Sequence, residues 1–230
     1  MNKFKKNKST IEYKSTSEEE QSRESLLDLL KNSKIPDNQL LSNLGLFLDS
    51  KNLSRILLMD FLMRKTLGVH GDIMEFGCRW GNNSSLFTAL RGIYEPFNRH
   101  KKIVAFDTFT GFPKLHKKDG NHDMMIKNAL YTHANYEKYL EKILIEQEKL
   151  NPLNHIKKFE IVKGDAIKTF RNYLNKNPQT IISLVFFDFD IYEPTKKILE
   201  LIKPRLVKGS IIAFDELNDY DAPGETLALM

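Results

Sequence analysis

A chain of 230 residues with 41% hydrophobic content can bury a substantial core in one α/β domain without disulfide or metal support. Its formal charge of +5 comes from 35 Lys and Arg interleaved with 30 acids, not gathered in one patch, which argues against a nucleic-acid partner. The single cysteine, Cys78, excludes an intramolecular disulfide framework, no Cys/His cluster has zinc spacing, and a reducing cytoplasm is the expected setting.

Residues 1–22 carry lysines, then Ser, Thr and the run Glu18-Glu19-Glu20 with hardly an apolar group, so a mobile, disordered tail is expected. The basic start MNKFKKNKST is followed by polar IEYKSTSEEE where a signal peptide needs an apolar stretch, which argues against export by that route. Residues 23–70 read as a helical cap with three leucine-rich stripes. The first holds Leu26, Leu27, Leu29 and Leu30, the second runs from Leu40 to Leu48 beyond Pro36, and the third runs from about Leu53 to Leu67. The most apolar run, Ile56 to Met63, contains Asp60 and is too short to cross a bilayer, so no membrane span is expected. These helices are expected to cover a nucleotide pocket or to make a homo-oligomer contact.

From Gly71 onward, short apolar runs suited to strands buried on both faces alternate with amphipathic stretches suited to crossover helices. Strands are predicted over Asp72–Phe76, Lys102–Phe106, Lys158–Val162, Ile181–Phe187 and Ser210–Phe214. Helices are predicted over Asn83–Tyr94, Tyr136–Leu150, Ala166–Leu174 and Pro194–Leu201. Five strands joined by right-handed crossovers predict a doubly wound parallel sheet of the Rossmann-like α/β class.

The first strand runs into Glu75-Phe76-Gly77-Cys78-Arg79-Trp80-Gly81, whose two glycines let backbone approach a ligand at a helix start. Alone, this E-x-G-x-x-x-G also fits an ordinary tight strand-to-helix turn. The later strands each end at an acid: Asp107, Asp165, Asp188, and the pair Asp215 and Glu216. A single acid there is usually a helix N-cap. A whole series, on the side where such sheets bind ligands, points to a binding site, with Asp107 placed to accept both hydroxyls of a ribose.

These blocks, together with FDTFTGFP (Phe106 to Pro113), D-x-D-x-Y-E-P-T (Asp188 to Thr195), GSIIAFDE (Gly209 to Glu216) and PGET (Pro223 to Thr226), resemble the macrocin O-methyltransferase family. The resemblance covers roughly Gly71 to Thr226 and implies a class I methyltransferase that uses S-adenosyl-L-methionine (SAM), often with magnesium, to methylate sugar hydroxyls. It implies that Glu75, Gly77 and Gly81 surround the methionine part of SAM, that Asp107 holds the ribose, and that Gly164, Asp165 and Ala166 meet the adenine. Ser84 and Thr108 complete the expected cofactor-binding set. Asp188, Asp215 and Glu216 match the family's Mg²⁺ positions, although the family more usually carries a second Asp at Glu216. Residues 71–230 are then the SAM-binding domain.

Methyl transfer from a sulfonium is mostly a matter of alignment, but a sugar hydroxyl is a weak nucleophile whose proton must be taken by a carboxylate or loosened by a divalent ion. Asp188 is the first choice as general base and Asp190 the second. The same acids paired with Lys and Arg would need no metal. Cys78 reads as a small side chain packed beside the cofactor, and His116, His122 and His133 as solvent-exposed. The segment from Lys114 to Tyr139 that carries them is expected to form a lid over the acceptor.

Two other functions stay open. Asp188-Phe189-Asp190 is also the D-x-D by which many glycosyltransferases hold a metal and a nucleotide. A SAM-binding protein without activity is the second, because few residues follow Asp215 where the class I fold continues with a helix and a strand hairpin. That hairpin is expected to be missing, leaving the fifth strand as an apolar edge that a second subunit or residues 217–230 would cover.

Overall fold

A computed structural model describes residues 15–230. The chain divides into two compact units, one ending at Leu58 and one beginning at Met59. Of the expected tail, residues 1–14 lie outside the described residues. The acidic run does not continue it: Glu18, Glu19 and Glu20 form the first turn of α1 (Ser17–Lys31). The reason is local. Thr16 and Glu19 make a reciprocal capping box, and three carboxylates in the first turn oppose the helix dipole.

The first unit continues through α2 (Asp37–Leu40), a 3-10 turn (Leu41–Phe47) and the start of α3 (Ser50–Lys65). Its leucine stripes are real in sequence, yet none of the residues of α1, α2 or the 3-10 turn is buried. The end of α3 belongs to the second unit, where Met59, Leu62 and Met63 enter the core.

In the second unit β1 (Asp72–Phe76), β2 (Ile103–Asp107), β3 (Phe159–Lys163), β4 (Ile182–Phe187) and β5 (Leu206–Phe214) form a single parallel sheet in the order β3-β2-β1-β4-β5. The crossover helices are α4 (Asn82–Tyr94), α5 (Tyr136–Lys149), α6 (Ala166–Lys176) and α7 (Tyr192–Ile202). The predicted doubly wound α/β class is therefore observed, and β5 begins four residues earlier than its apolar run suggested.

Strand alternation sends side chains to two cores. Ile73, Ile103, Ala105, Phe159, Leu184 and Phe186 meet α3, α4 and α5 on one face. Met74, Phe76, Val104, Phe106, Val185 and Phe187 meet α6 and α7 on the other. The last residue or last but one of four strands is Phe, and the in-register pairing stacks them: Phe76 on Phe106 at 4.9 Å, Phe76 on Phe187 at 5.5 Å and Phe187 on Phe214 at 5.0 Å. Phe170 of α6 caps Phe76 edge-on at 5.2 Å. This aromatic row lies directly beneath the strand ends and holds them level.

A third, smaller cluster joins Phe112, Met124, Met125 and Ala129 to Ile191 and Ala222. The segment after β2, expected as a lid over the acceptor with exposed histidines, is anchored by its own apolar residues against the loops after β4 and β5. His116 and His122 are half-buried there, each accepting a backbone N–H at its Nδ1. Residues 224–229 form a short helix, α8 (Gly224–Leu229), that packs on α7. Among the described residues no helix is long and apolar enough to cross a membrane.

Candidate active site

The parallel register continues one step past the strands. Gly77 N donates to Phe106 O, Gly164 N to Asp107 O, Asp188 N to Phe76 O and Asp215 N to Phe187 O, all at 2.8–2.9 Å. Gly77, Asp107, Gly164, Asp188 and Asp215 consequently stand side by side along one sheet edge. The strand-end series read from the sequence is a single row in space.

At its centre, Gly77 has φ +97°, and a Cβ there would overlap the Asp188 carbonyl. Only glycine lets the ends of β1 and β4 close to this distance. Gly81 is the N-cap of α4 with φ +78°, and a Cβ on it would run into the Leu140 side chain of α5. Tyr136 reinforces that packing: its hydroxyl donates to Trp80 O at 3.1 Å and its ring meets Trp80 edge-on at 4.9 Å. The glycine turn is therefore held from outside by α5, an arrangement with no local signal in the turn itself.

Glu75 is 1% exposed and accepts a hydrogen bond from the Ser84 hydroxyl. Burial pushes its carboxyl up to about 7, and the hydrogen bonds from Ser84 and Asn83 only partly oppose this. Ser84 is itself fully buried with its hydroxyl committed to Glu75, so it positions that acid. Asp107 accepts from Arg79 N at 2.7 Å through Oδ2 and from Phe109 N at 2.5 Å through Oδ1. It draws the glycine turn and the FDTFTG turn together, and burial still raises its carboxyl above the ordinary range. Thr108 donates to Gly111 O at 2.8 Å, which makes it part of that turn. Asp165 N-caps α6 through Ile167 N at 3.0 Å, with Ala166 buried as the first helical residue.

Cys78 is buried, and burial followed by the negative charges of Asp107, Glu75 and Asp188 pushes its thiol well up. A thiol held protonated in this way is no nucleophile.

On the other side of the row Asp188, Asp215 and Glu216 bring one carboxylate oxygen each within 4.8 Å of one another. Glu216 Oε2 is buried without a hydrogen-bond partner, and burial together with Asp190, Asp215 and Asp188 pushes its carboxyl far up. Asp190 is 4% exposed with φ +61°, and burial raises its carboxyl even though Glu216 hydrogen-bonds to it. Three hard oxygen donors with an orphaned buried oxygen fit a divalent cation better than they fit each other.

Two supporting acids escaped the sequence reading. Glu225 of α8 is fully buried and accepts from Phe189 N at 2.8 Å and from Glu216 N at 3.4 Å. It ties the loops after β4 and β5 into one unit, and the PGET block was its only sequence signal. Asp119 accepts from His116 N and from Tyr192 N, both at 2.6 Å, and so fastens the segment after β2 to the start of α7. Nothing in KKDGN marks that role.

Residues 59–227 match the family model described as macrocin-O-methyltransferase (TylF). The crystal structure of CalS11, calicheamicin methyltransferase, is 44% identical with a TM-score of 0.92, over 94% of this chain and 84% of that one. An apo structure of CalS11, described as a TDP-rhamnose 3'-O-methyltransferase of calicheamicin biosynthesis, is 42% identical with a TM-score of 0.82, over 94% and 85% of the two chains. The O-methyltransferase NovP, at 17% identity and a TM-score of 0.53 over 76% of this chain and 69% of that one, shares the fold. No match was found among curated protein sequences. With a family model matching well over half of its length, this chain belongs to the macrocin O-methyltransferase family and is an O-methyltransferase.

Proposed function

We propose that the protein transfers a methyl group from SAM to a sugar hydroxyl of a glycan, nucleotide sugar or glycosylated natural product. The carboxylate cluster beside the glycine turn carries this reading: Asp188 and Gly77 stand in adjacent positions of one row, so a donor seated at Gly77 has its reactive end next to an acid. Glu75, Gly77, Gly81, Asp107, Gly164, Asp165 and Ala166 form the donor side. Asp107 keeps lone pairs for two ribose hydroxyls while its backbone donors fix its orientation.

Asp188 takes the proton of the acceptor hydroxyl. Asp190 does not compete, being buried and tied to Glu216. Asp188, Asp215 and Glu216 would hold Mg²⁺, which when bound would make the acceptor hydroxyl more acidic and offset the charge of the cluster. Turnover is accordingly expected to stop in EDTA and to return with excess Mg²⁺. Full activity in chelator would leave Asp188 a base without a metal. The exposed leucines of the first unit, with Leu29 at 62%, Leu41 at 82% and Leu46 at 67%, support a contact with a second copy. The lone buried cysteine is in keeping with a cytoplasmic setting.

The donor half is tested by pH. A carboxyl pushed up to about 7 keeps its proton at pH 6 and loses it by pH 8, and the charged form is the one that pairs with the amino group of SAM. The dissociation constant for SAM is expected to fall about tenfold from pH 6 to pH 8 in wild type, with a flat profile in Glu75→Gln. The unliganded protein should show the opposite trend. The folded-state value lies above the ordinary 4.5, so this group's contribution to stability is full below that pH and is lost as pH rises through about 7. A wild-type SAM profile identical to that of Glu75→Gln would remove Glu75 from the donor site.

A further inference from the structure

At the end of the sheet opposite the carboxylate row, the starts of β1, β2 and β4 and the loop after α6 enclose a cavity of about 390 Å³. That volume lies within the range of about 300–1,000 Å³ typical of small-molecule sites. The segments before β1 and β2 line it with His70, Arg99, His100 and Lys102. The end of α6 and its loop line it with Tyr173, Asn177, Gln179 and Thr180. No hydrogen bond or ion pair among the described residues holds the side chains of His70, Arg99, His100 or Lys102. Asp72 is the one carboxylate of the lining, and its Oδ1 accepts from Lys102 N at 2.9 Å. Glu160 of β3 is the other acid that acts on Asp72. The cations therefore outnumber the acids and have no partner of their own.

The walls are fixed by bonds that leave those side chains available. Asn98 Oδ1 accepts from His100 N at 3.0 Å and from Lys101 N at 3.1 Å, which shapes the turn that presents Arg99 and His100. Lys101 is buried and pairs with Glu95 at 2.5 Å, so its own charge is matched and the turn is anchored. Arg205 donates to Pro178 O at 2.6 Å, and Asp72 N donates to Ile181 O at 2.9 Å. Arg99 and His100 are exposed whereas Tyr173 and Thr180 are buried, which puts charge toward the mouth and hydroxyl groups toward the floor. With β1 five residues long, Gly71 and Gly77 stand about 20 Å apart at the usual strand rise. A ligand in the cavity touches neither the glycine turn nor the carboxylate cluster.

We propose that this cavity is a second binding site, which takes a phosphate monoester carried on a polar, hydroxylated body. Arg99, Lys102 and the two imidazoles hold the phosphate, while Tyr173, Asn177 and Thr180 hydrogen-bond the body. So many donor side chains exceed what the oxygens of a carboxylate can use and suit the larger oxygen set and charge of a phosphate monoester. The site stands whether or not Asp188 is the methyl-transfer point.

Calorimetry on protein saturated with S-adenosylhomocysteine, which fills the donor pocket, tests the site with inorganic phosphate, ribose 5-phosphate and AMP as probes. Wild type should bind at least one of the two esters more tightly than inorganic phosphate. Arg99→Ala/Lys102→Ala should weaken that binding about tenfold or more, while its affinity for S-adenosylhomocysteine stays within about twofold. Arg99→Lys/Lys102→Arg keeps both charges and should stay within about threefold of wild type. Lys142→Ala, at an exposed lysine of α5, should change nothing. Tighter binding of AMP than of ribose 5-phosphate would support the site with a nucleotide as its occupant, and equal or weaker binding would support it with a sugar phosphate. The proposal would be overturned by wild type that binds neither ester, by inorganic phosphate that binds as tightly as both, or by ester binding that the double Ala variant keeps. An equal loss of S-adenosylhomocysteine affinity in that variant would also overturn it, since the cations would then serve the fold and not a separate ligand.

Discussion

Asp188→Asn should lower kcat by about three orders of magnitude while the dissociation constant for SAM stays within about twofold. Asn is nearly isosteric and preserves the backbone bond from position 188 to Phe76 O, so the row of strand ends should persist. What it loses is the capacity to take a proton. Asp190 cannot substitute, because its carboxyl is buried against Glu216 on a backbone already held at positive φ. The ends of β1, β2 and β3, which we propose as the donor side, are left intact. Single-turnover rates and calorimetry on the same preparation separate the two effects. Loss of SAM affinity equal to the loss of rate would mean that Asp188 shapes the donor pocket and does not act on the acceptor.

Asp107→Ala should have the largest effect on donor affinity, about 2 to 4 kcal/mol, or roughly thirtyfold to a thousandfold. The two hydrogen bonds proposed to the ribose would disappear, and the N–H groups of Arg79 and Phe109 lose their shared acceptor. The two losses are separable. Asp107→Asn keeps one acceptor oxygen for the backbone and should restore most of the thermal stability without restoring SAM affinity. Unchanged affinity in both variants would exclude Asp107 from the donor site.

The sheet was legible because its strands are apolar on both faces and end in acids, and both signals are local. The row of strand ends followed, since parallel register turns a repeated strand ending into spatial neighbours. The rest depended on distant pairing. The acidic run at Glu18 to Glu20 was read as solvated tail because composition does not register a capping box completed by Thr16. The leucine stripes of the first unit matched helical periodicity, but periodicity says nothing about what covers a stripe. Met124 and Met125 lie in a His- and Lys-rich segment whose polarity gave no sign of an anchor, whereas their burial with Ile191 supplies one. Glu225 and Asp119 hold the site's loops through backbone N–H groups, a role available to any carboxylate that the fold delivers to the right place. Cys78 is buried, in keeping with a packing side chain at its position inside the glycine turn.

The central claim is methyl transfer from SAM to a sugar oxygen at the Asp188 cluster. The most direct measurement incubates the protein and Mg²⁺ with SAM carrying a trideuterated methyl group and a panel of nucleoside diphosphate sugars and glycosides, and then fragments the products by mass spectrometry. The expected result is a trideuteromethyl group on a ring hydroxyl of at least one sugar, formed by wild type and absent with Asp188→Asn. Release of free sugar or nucleoside diphosphate without methylation, or label on the sugar at equal rates in both proteins, would contradict it.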